Sequence, residues 1–123
     1  INTDEVAEPN VFAIEASMAA YEKGGAWLDQ LRVYIKQNKE DALHFCKTYC
    51  PDIHIVSSQA NYLLWLDCHK ICDDSKLLAN FIRKHTGLYL SDGAAYGENG
   101  KSFLRMNIAC PNSRLLDGLR RLK

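Results

Sequence analysis

Residues 91–111, SDGAAYGENGKSFLRMNIACP, join a glycine-studded polar half to an apolar run that one arginine interrupts. Gly93, Gly97 and Gly100 permit tight turns and positive φ without a Cβ penalty. From Phe103 to Cys110 the run reads as a strand. On a period of two, Leu104, Met106, Ile108 and Cys110 share one face, and Phe103, Arg105, Asn107 and Ala109 the other. The first face is apolar throughout and wants a core. The second puts the Arg105 guanidinium in mid-strand, a planar fork of donors whose usual partner is a carboxylate. The glycines open onto a strand and not a helix. They therefore fit neither a Walker A loop nor a dinucleotide fingerprint, which both set the phosphate on a helix N-terminus.

The flanking segments supply the rest of the layer. Leu88–Leu90 reads as a brief strand, and Gly87 as the left-handed stop of a helix capped by Asp73, Asp74 or Ser75. Leu77, Leu78, Phe81 and Ile82 would form that helix's buried face. Asn61–Asp67, NYLLWLD, is apolar on both faces and so predicts an inner strand covered on both sides, with Ile53–Val56 a shorter strand before it. Downstream, Asn112 or Ser113 caps a last helix that turns Leu115, Leu116, Leu119 and Leu122 inward. Upstream, a helix from about Ala26 to Tyr49 carries a stripe of Trp27, Leu31, Tyr34, Ile35, Ala42, Phe45, Cys46 and Tyr49, and Pro51 ends it. Asn10 caps an earlier helix through about Glu22, with Phe12, Ala16, Ala19 and Ala20 at helical spacing, before Gly24-Gly25 breaks it.

The order is α-α-β-β-α-β-β-α, which predicts an α+β fold: a small, mainly antiparallel sheet of about four strands covered by helices. Residues 1–9 form a polar lead-in, and residues 10–123 a single domain without repeats.

Fifteen basic side chains face fifteen acidic ones, a balance that gives no support to a nucleic-acid or anionic-membrane partner. No apolar run approaches the ~20 residues that span a bilayer. The N-terminus, INTDEVAEPN, lacks the blocks of a signal peptide and an initiating Met, so the chain is expected to be a piece of a longer cytoplasmic protein. Five cysteines, an odd count, point to reduced thiols. Cys46/Cys50 and Cys68/Cys72 lie near His44 and His69 but lack the tighter knuckle of structural zinc, so no metal site is expected. His44, His54, His69 and His85 have no local nucleophile-and-base arrangement. Surface or hydrogen-bonded roles are expected for them, and no catalytic residue is assigned.

Arg105 has two readings: a salt bridge to a carboxylate such as Asp67 or Asp92, or a ligand site. Residue type alone favours the salt bridge. A wider pattern turns the balance. SMAAYEKGGAWLDQLRVYIKQN, then NYLLWLD, then GAAYGENGKSFLRMNIACP with its leucine-spaced helix, in that order, resembles the C-terminal part of pyridoxal-phosphate enzymes of the class I/II aminotransferase superfamily. It is most like the cystathionine β-lyase (MalY/PatB-type C–S lyase) branch. The resemblance implies that Arg105 binds the α-carboxylate of an amino-acid substrate, and that Tyr96 and Gly97 shape the pocket beside it. It implies a homodimeric full-length enzyme that eliminates from sulfur-containing amino acids, with an ordinary aminotransferase as the alternative. A non-catalytic binding or dimerisation module is the alternative from outside enzymology. The pyridoxal phosphate and its Schiff-base lysine would sit in a large domain upstream, so this chain would supply no cofactor ligand and be inert alone. Its alanine-rich first helix, around Ala13, Ala16, Ala19 and Ala20, would be an exposed face.

Overall fold

The computed structural model describes residues 9–123, so the lead-in expectation lies, Pro9 apart, outside the described residues. The described residues divide into two compact units, with the boundary between Tyr34 and Ile35.

In the first unit, α1 (Val11–Lys23) starts where the Asn10 side chain accepts the Ala13 N–H at 2.9 Å. It ends at Gly24, and α2 (Gly25–Tyr49) begins one residue later, so the glycine pair interrupts the helix at one position only. No residue of α1 is buried. Trp27 and Tyr34, expected in the inward stripe of α2, are 66% and 45% exposed. Every strand among the described residues belongs to the second unit. From Ile35 onward the stripe does turn inward, through Asn38, Ala42 and Cys46, although Tyr49 at its end is again exposed.

The second unit holds a four-stranded sheet of order β1-β2-β4-β3, antiparallel at every pairing. Its strands are β1 (His54–Ile55), β2 (Leu63–Asp67), β3 (Ser91–Asp92) and β4 (Phe103–Asn107). One face of the two long strands, Leu64 and Leu66 with Leu104 and Met106, makes the core with Ile108, just beyond β4. Joining it are Ala42 and Cys46 of α2, Ala79 of α3 (Ser75–Thr86), and Leu115 and Leu119 of α4 (Asn112–Leu122). This is the α+β layer that the sequence predicts, in the predicted element order.

Four local expectations need correction. The short strand lies at Ser91–Asp92 and not at Leu88–Leu90, because only those two residues reach ladder partners on β4. β2 is an inner strand but is fully covered on one face only: Leu64 and Leu66 are buried, whereas Leu63, Trp65 and Asp67 are half-exposed. In α3, Leu77 and Phe81 are 60% and 56% exposed, while Ser75 and Ala79 are buried. The capping geometry sets this rotation. Asp74 accepts the Leu77 N–H at 2.9 Å and the Ser75 N–H donates to the Lys101 carbonyl at 2.6 Å, so the small side chains of the helix meet the sheet. Finally, Pro111 occupies the N-cap of α4 without a side-chain bond, and Asn112 is already helical. Gly87, at φ 72°, stops α3 as expected.

No helix among the described residues is long and apolar enough to cross a membrane. Among the same residues, no three His, Cys, Asp or Glu side chains gather where a metal ion would be held.

Candidate functional site

Arg105 stands in the middle of β4, opposite Trp65 on β2 and Ser91 on β3. These residues face away from the core, as do Phe103 and Asn107. The Trp65 ring stacks on Phe103 with centroids 5.5 Å apart and an interplanar angle of 14°. It also meets Tyr96 edge-on at 5.9 Å. The Arg105 guanidinium lies over the Tyr96 ring, 4.5 Å from its centroid. A half-buried cation therefore sits against an aromatic wall.

Both carboxylates considered as salt-bridge partners are engaged elsewhere. Asp67 takes His69 Nδ1 at 2.8 Å and the His69 N–H at 3.1 Å. Asp92 accepts the Ala95 N–H at 3.0 Å and so caps the turn that carries Tyr96. Among the described residues Arg105 forms no ion pair. Its five donors are always charged, so a planar anion is the natural complement. Asn107, on the same face, is exposed and turns its carbonyl to the Ala109 N–H at 2.8 Å.

The loop that delivers Tyr96 is two short 3₁₀ turns, Gly93–Tyr96 and Glu98–Gly100. Only Gly97, at φ 125°, uses the positive-φ freedom expected of all three glycines. Gly93 and Gly100 serve a different purpose. Each is buried, and a Cβ on either would overlap the backbone carbonyl of the other. Ser75, at the start of α3, ties this crossing down by accepting the Ala94 N–H at 3.1 Å. The far end of β4 is held by Asn38 of α2, whose amide donates to the carbonyls of Ile108 and Cys110 at 2.9 and 3.0 Å.

Sequence reasoning singled out Arg105, Tyr96 and Gly97, and the structure brings the first two into contact; Gly97 closes the turn beside them. It missed Trp65, Phe103, Asn38 and Ser75. Asn38 left a signal, a lone amide on the apolar stripe between Ile35 and Ala42; Trp65 left none, because its place opposite Arg105 depends on strand register.

Two concavities flank the sheet. A cavity of about 290 Å³ between α3 and β3 is lined by Lys76, Asn80, Arg83, Tyr89, Asp92 and Tyr96, among others. A wider groove of about 760 Å³ along β1 gathers three of the four histidines, His44, His54 and His69, with Asp67. His85 stands apart, its Nδ1 2.8 Å from the Phe81 carbonyl and its ring against the Phe81 ring.

The class follows from likeness to known proteins: the chain belongs, as a fragment, to the superfamily of pyridoxal-phosphate-dependent aminotransferases and C–S lyases. No protein-family model matches it. Cystathionine beta-lyase PatB of Bacillus subtilis is 40% identical over 115 residues, covering 93% of this chain and 30% of that protein. Protein MalY of Escherichia coli is 34% identical over 116 residues, covering 94% and 30%. Cystalysin from Treponema denticola, solved with pyridoxal 5'-phosphate, superposes with a TM-score of 0.86 at 26% identity, over 92% of this chain and 29% of that one. The sequence kinship thus lies with the C–S lyase branch, and the chain spans about a third of the length of the relatives it matches.

All lysines of this chain are exposed except Lys39, whose ammonium is taken up by the Ser58 carbonyl and hydroxyl. No chemical step of the cofactor is assigned to these residues.

Proposed function

We propose that the chain is the small domain of a pyridoxal-phosphate-dependent C–S lyase, and that Arg105 holds the α-carboxylate of its sulfur-containing amino-acid substrate. The observation that carries the reading is Arg105 itself: mid-strand, half-buried, stacked on Tyr96, and without a carboxylate partner among the described residues. A bidentate clamp on the carboxylate fixes the rotation about the substrate's Cα and so selects which Cα bond breaks. The cofactor, held by the remainder of the protein, supplies the electron sink. Elimination then releases a thiol, pyruvate and ammonia.

Several features fit a domain that closes over another. The outward face of the sheet carries Trp65, Phe103 and Tyr96, and α1 exposes Phe12 and Tyr21 almost fully, at 86% and 93%. Such apolar surface suits cover by the rest of the chain or by the second subunit of a homodimer. A cytoplasmic, reduced setting suits five free thiols.

The test uses the full-length protein with cystathionine. Release of pyruvate and ammonia without an amino acceptor marks a lyase; keto-acid formation that needs an acceptor marks an aminotransferase. Arg105→Ala should lower kcat/KM by about 10- to 100-fold, the worth of one charge-assisted hydrogen bond, at unchanged cofactor content. An unaltered kcat/KM would remove Arg105 from the site. Residues 1–123 alone should be inert and form no reducible imine.

A further inference from the structure

The cavity between α3 and β3 lies next to Arg105, with Tyr96 in common. Tyr96, over whose ring the guanidinium lies, is also one of the residues that line the cavity. From α3, Lys76 and Arg83 line it one behind the other, seven residues apart and so on one side of the helix. Arg83 is held there by the Tyr89 ring, with its Cζ 5.2 Å from the centroid. Neither cation has an ion-pair partner among the described residues. Asn80 adds an amide between them, and Ser91 a hydroxyl from the strand. The one carboxylate in the lining, Asp92, is occupied by the Ala95 N–H. Two unpaired cations in a cavity of about 290 Å³ suit an anionic group a few atoms long, and the cavity has room for no large ligand.

We infer that this cavity is a second anion subsite, and that Lys76 and Arg83 select substrates whose side chain ends in a carboxylate. The inference takes Arg105 as the first carboxylate site. A substrate anchored there extends past Tyr96 and lays its distal carboxylate between Lys76 and Arg83. A neutral tail gains nothing from those residues, and a cationic tail is repelled.

The experiment measures binding and not turnover. Full-length protein is titrated calorimetrically with glutarate, which has two carboxylates, and with butyrate, which has one. Wild type should bind glutarate about tenfold or more tightly than butyrate, the worth of one charge-assisted contact. Lys76→Met combined with Arg83→Met should erase that preference and leave butyrate affinity unchanged. Both side chains are exposed and, among the described residues, make no hydrogen bond, so the pair carries little folding risk. Equal affinity for the two acids in wild type, no binding of either, or a preference that survives the double substitution would overturn the subsite. Arg105→Ala is read separately, since it should weaken both acids together. If it leaves butyrate untouched, the reading of Arg105 fails on its own, whatever the tail preference shows.

Discussion

Asn38 in α2 and Ile108 just past β4 are joined by a 2.9 Å hydrogen bond, from the side-chain amide of the first to the carbonyl of the second, across 70 positions of sequence. Asn38 is 1% exposed on an otherwise apolar stripe. Its second amide proton goes to the Cys110 carbonyl at 3.0 Å, and its oxygen accepts from the Asn112 amide at 3.0 Å. Asn112 also donates to Asp41 at 2.7 Å. One buried side chain thereby satisfies two backbone carbonyls just past the end of β4. It anchors the strand of Arg105 to α2 and to the first turn of α4.

Asn38→Ala should therefore cost about 2–4 kcal/mol, since it leaves two buried carbonyls without donors. Asn38→Asp should also destabilise despite its shape, because a carboxylate has no proton to give them. Urea unfolding gives both numbers. A change within about 0.5 kcal/mol for either variant would mean that water reaches these carbonyls as the protein stands.

The crossing of Gly93 and Gly100 predicts an order among three substitutions. Gly93→Ala and Gly100→Ala each drive a Cβ into a backbone carbonyl that cannot move without opening the loop. Gly97→Ala meets no atom within 4 Å and suffers only the strain of φ 125°, about 1–3 kcal/mol. The first two should lower the unfolding midpoint by more than the third. The reverse order would show that the conformation of Gly97, and not close approach, governs this loop.

The sheet and the order of elements along the chain were legible in the sequence because alternation along Leu104, Met106 and Ile108, and helical spacing along Leu115 and Leu119, record which side each element buries. The rotation of α3 was not. Leu77 and Phe81 look like core by hydropathy, yet contacts at the start of the helix, at Asp74 and Ser75, decide which side meets the sheet. Arg105 could be singled out from the strand pattern, but the rings that frame it could not. Trp65 reaches it through register, and Tyr96 through a loop whose path depends on two glycines that touch.

Burial separates the five thiols. It pushes Cys46 up to about 11, aided by neighbouring Cys50, and Cys68 up to about 12, aided by the charge of Asp67. Cys50 is raised too, chiefly by burial. The thiolate is the nucleophile, so a short pulse of iodoacetamide near neutral pH should label Cys72 and Cys110, which are partly exposed, before the other three. Mass spectrometry reads the sites directly. Early labelling of Cys68 would contradict its place in the core.

Asp67 predicts a pH effect. Burial acts to raise its carboxyl, but the hydrogen bonds from His69 and the charges of His69 and His54 outweigh that, and the net shift is downward. A folded value below the unfolded one, about 3.9, means stability that is complete above that value and lost as pH falls through the folded value. Asp67→Asn and His69→Ala should thus both flatten the acid limb of a melting-temperature profile below about pH 4, the first by removing the carboxyl and the second by removing what holds it down. Profiles that run parallel to the parent across this range would assign the acid sensitivity to other groups.

The contact of Arg105 with Tyr96 should be visible in substrate binding. A cation over a ring is worth about 0.5–2 kcal/mol, depending on how dry the contact is, and the hydroxyl has no part in it. Tyr96→Phe keeps the ring and should leave both KM and kcat near the parent values. Tyr96→Leu removes the ring against which the guanidinium and the Trp65 edge rest, at 4.5 and 5.9 Å, and lets the fork swing away from its carboxylate. KM for an amino-acid substrate should rise about 2- to 10-fold, with kcat changed less, because the clamp binds substrate and transition state alike. Equal losses in the phenylalanine and leucine variants would point instead to a hydrogen bond from the Tyr96 hydroxyl.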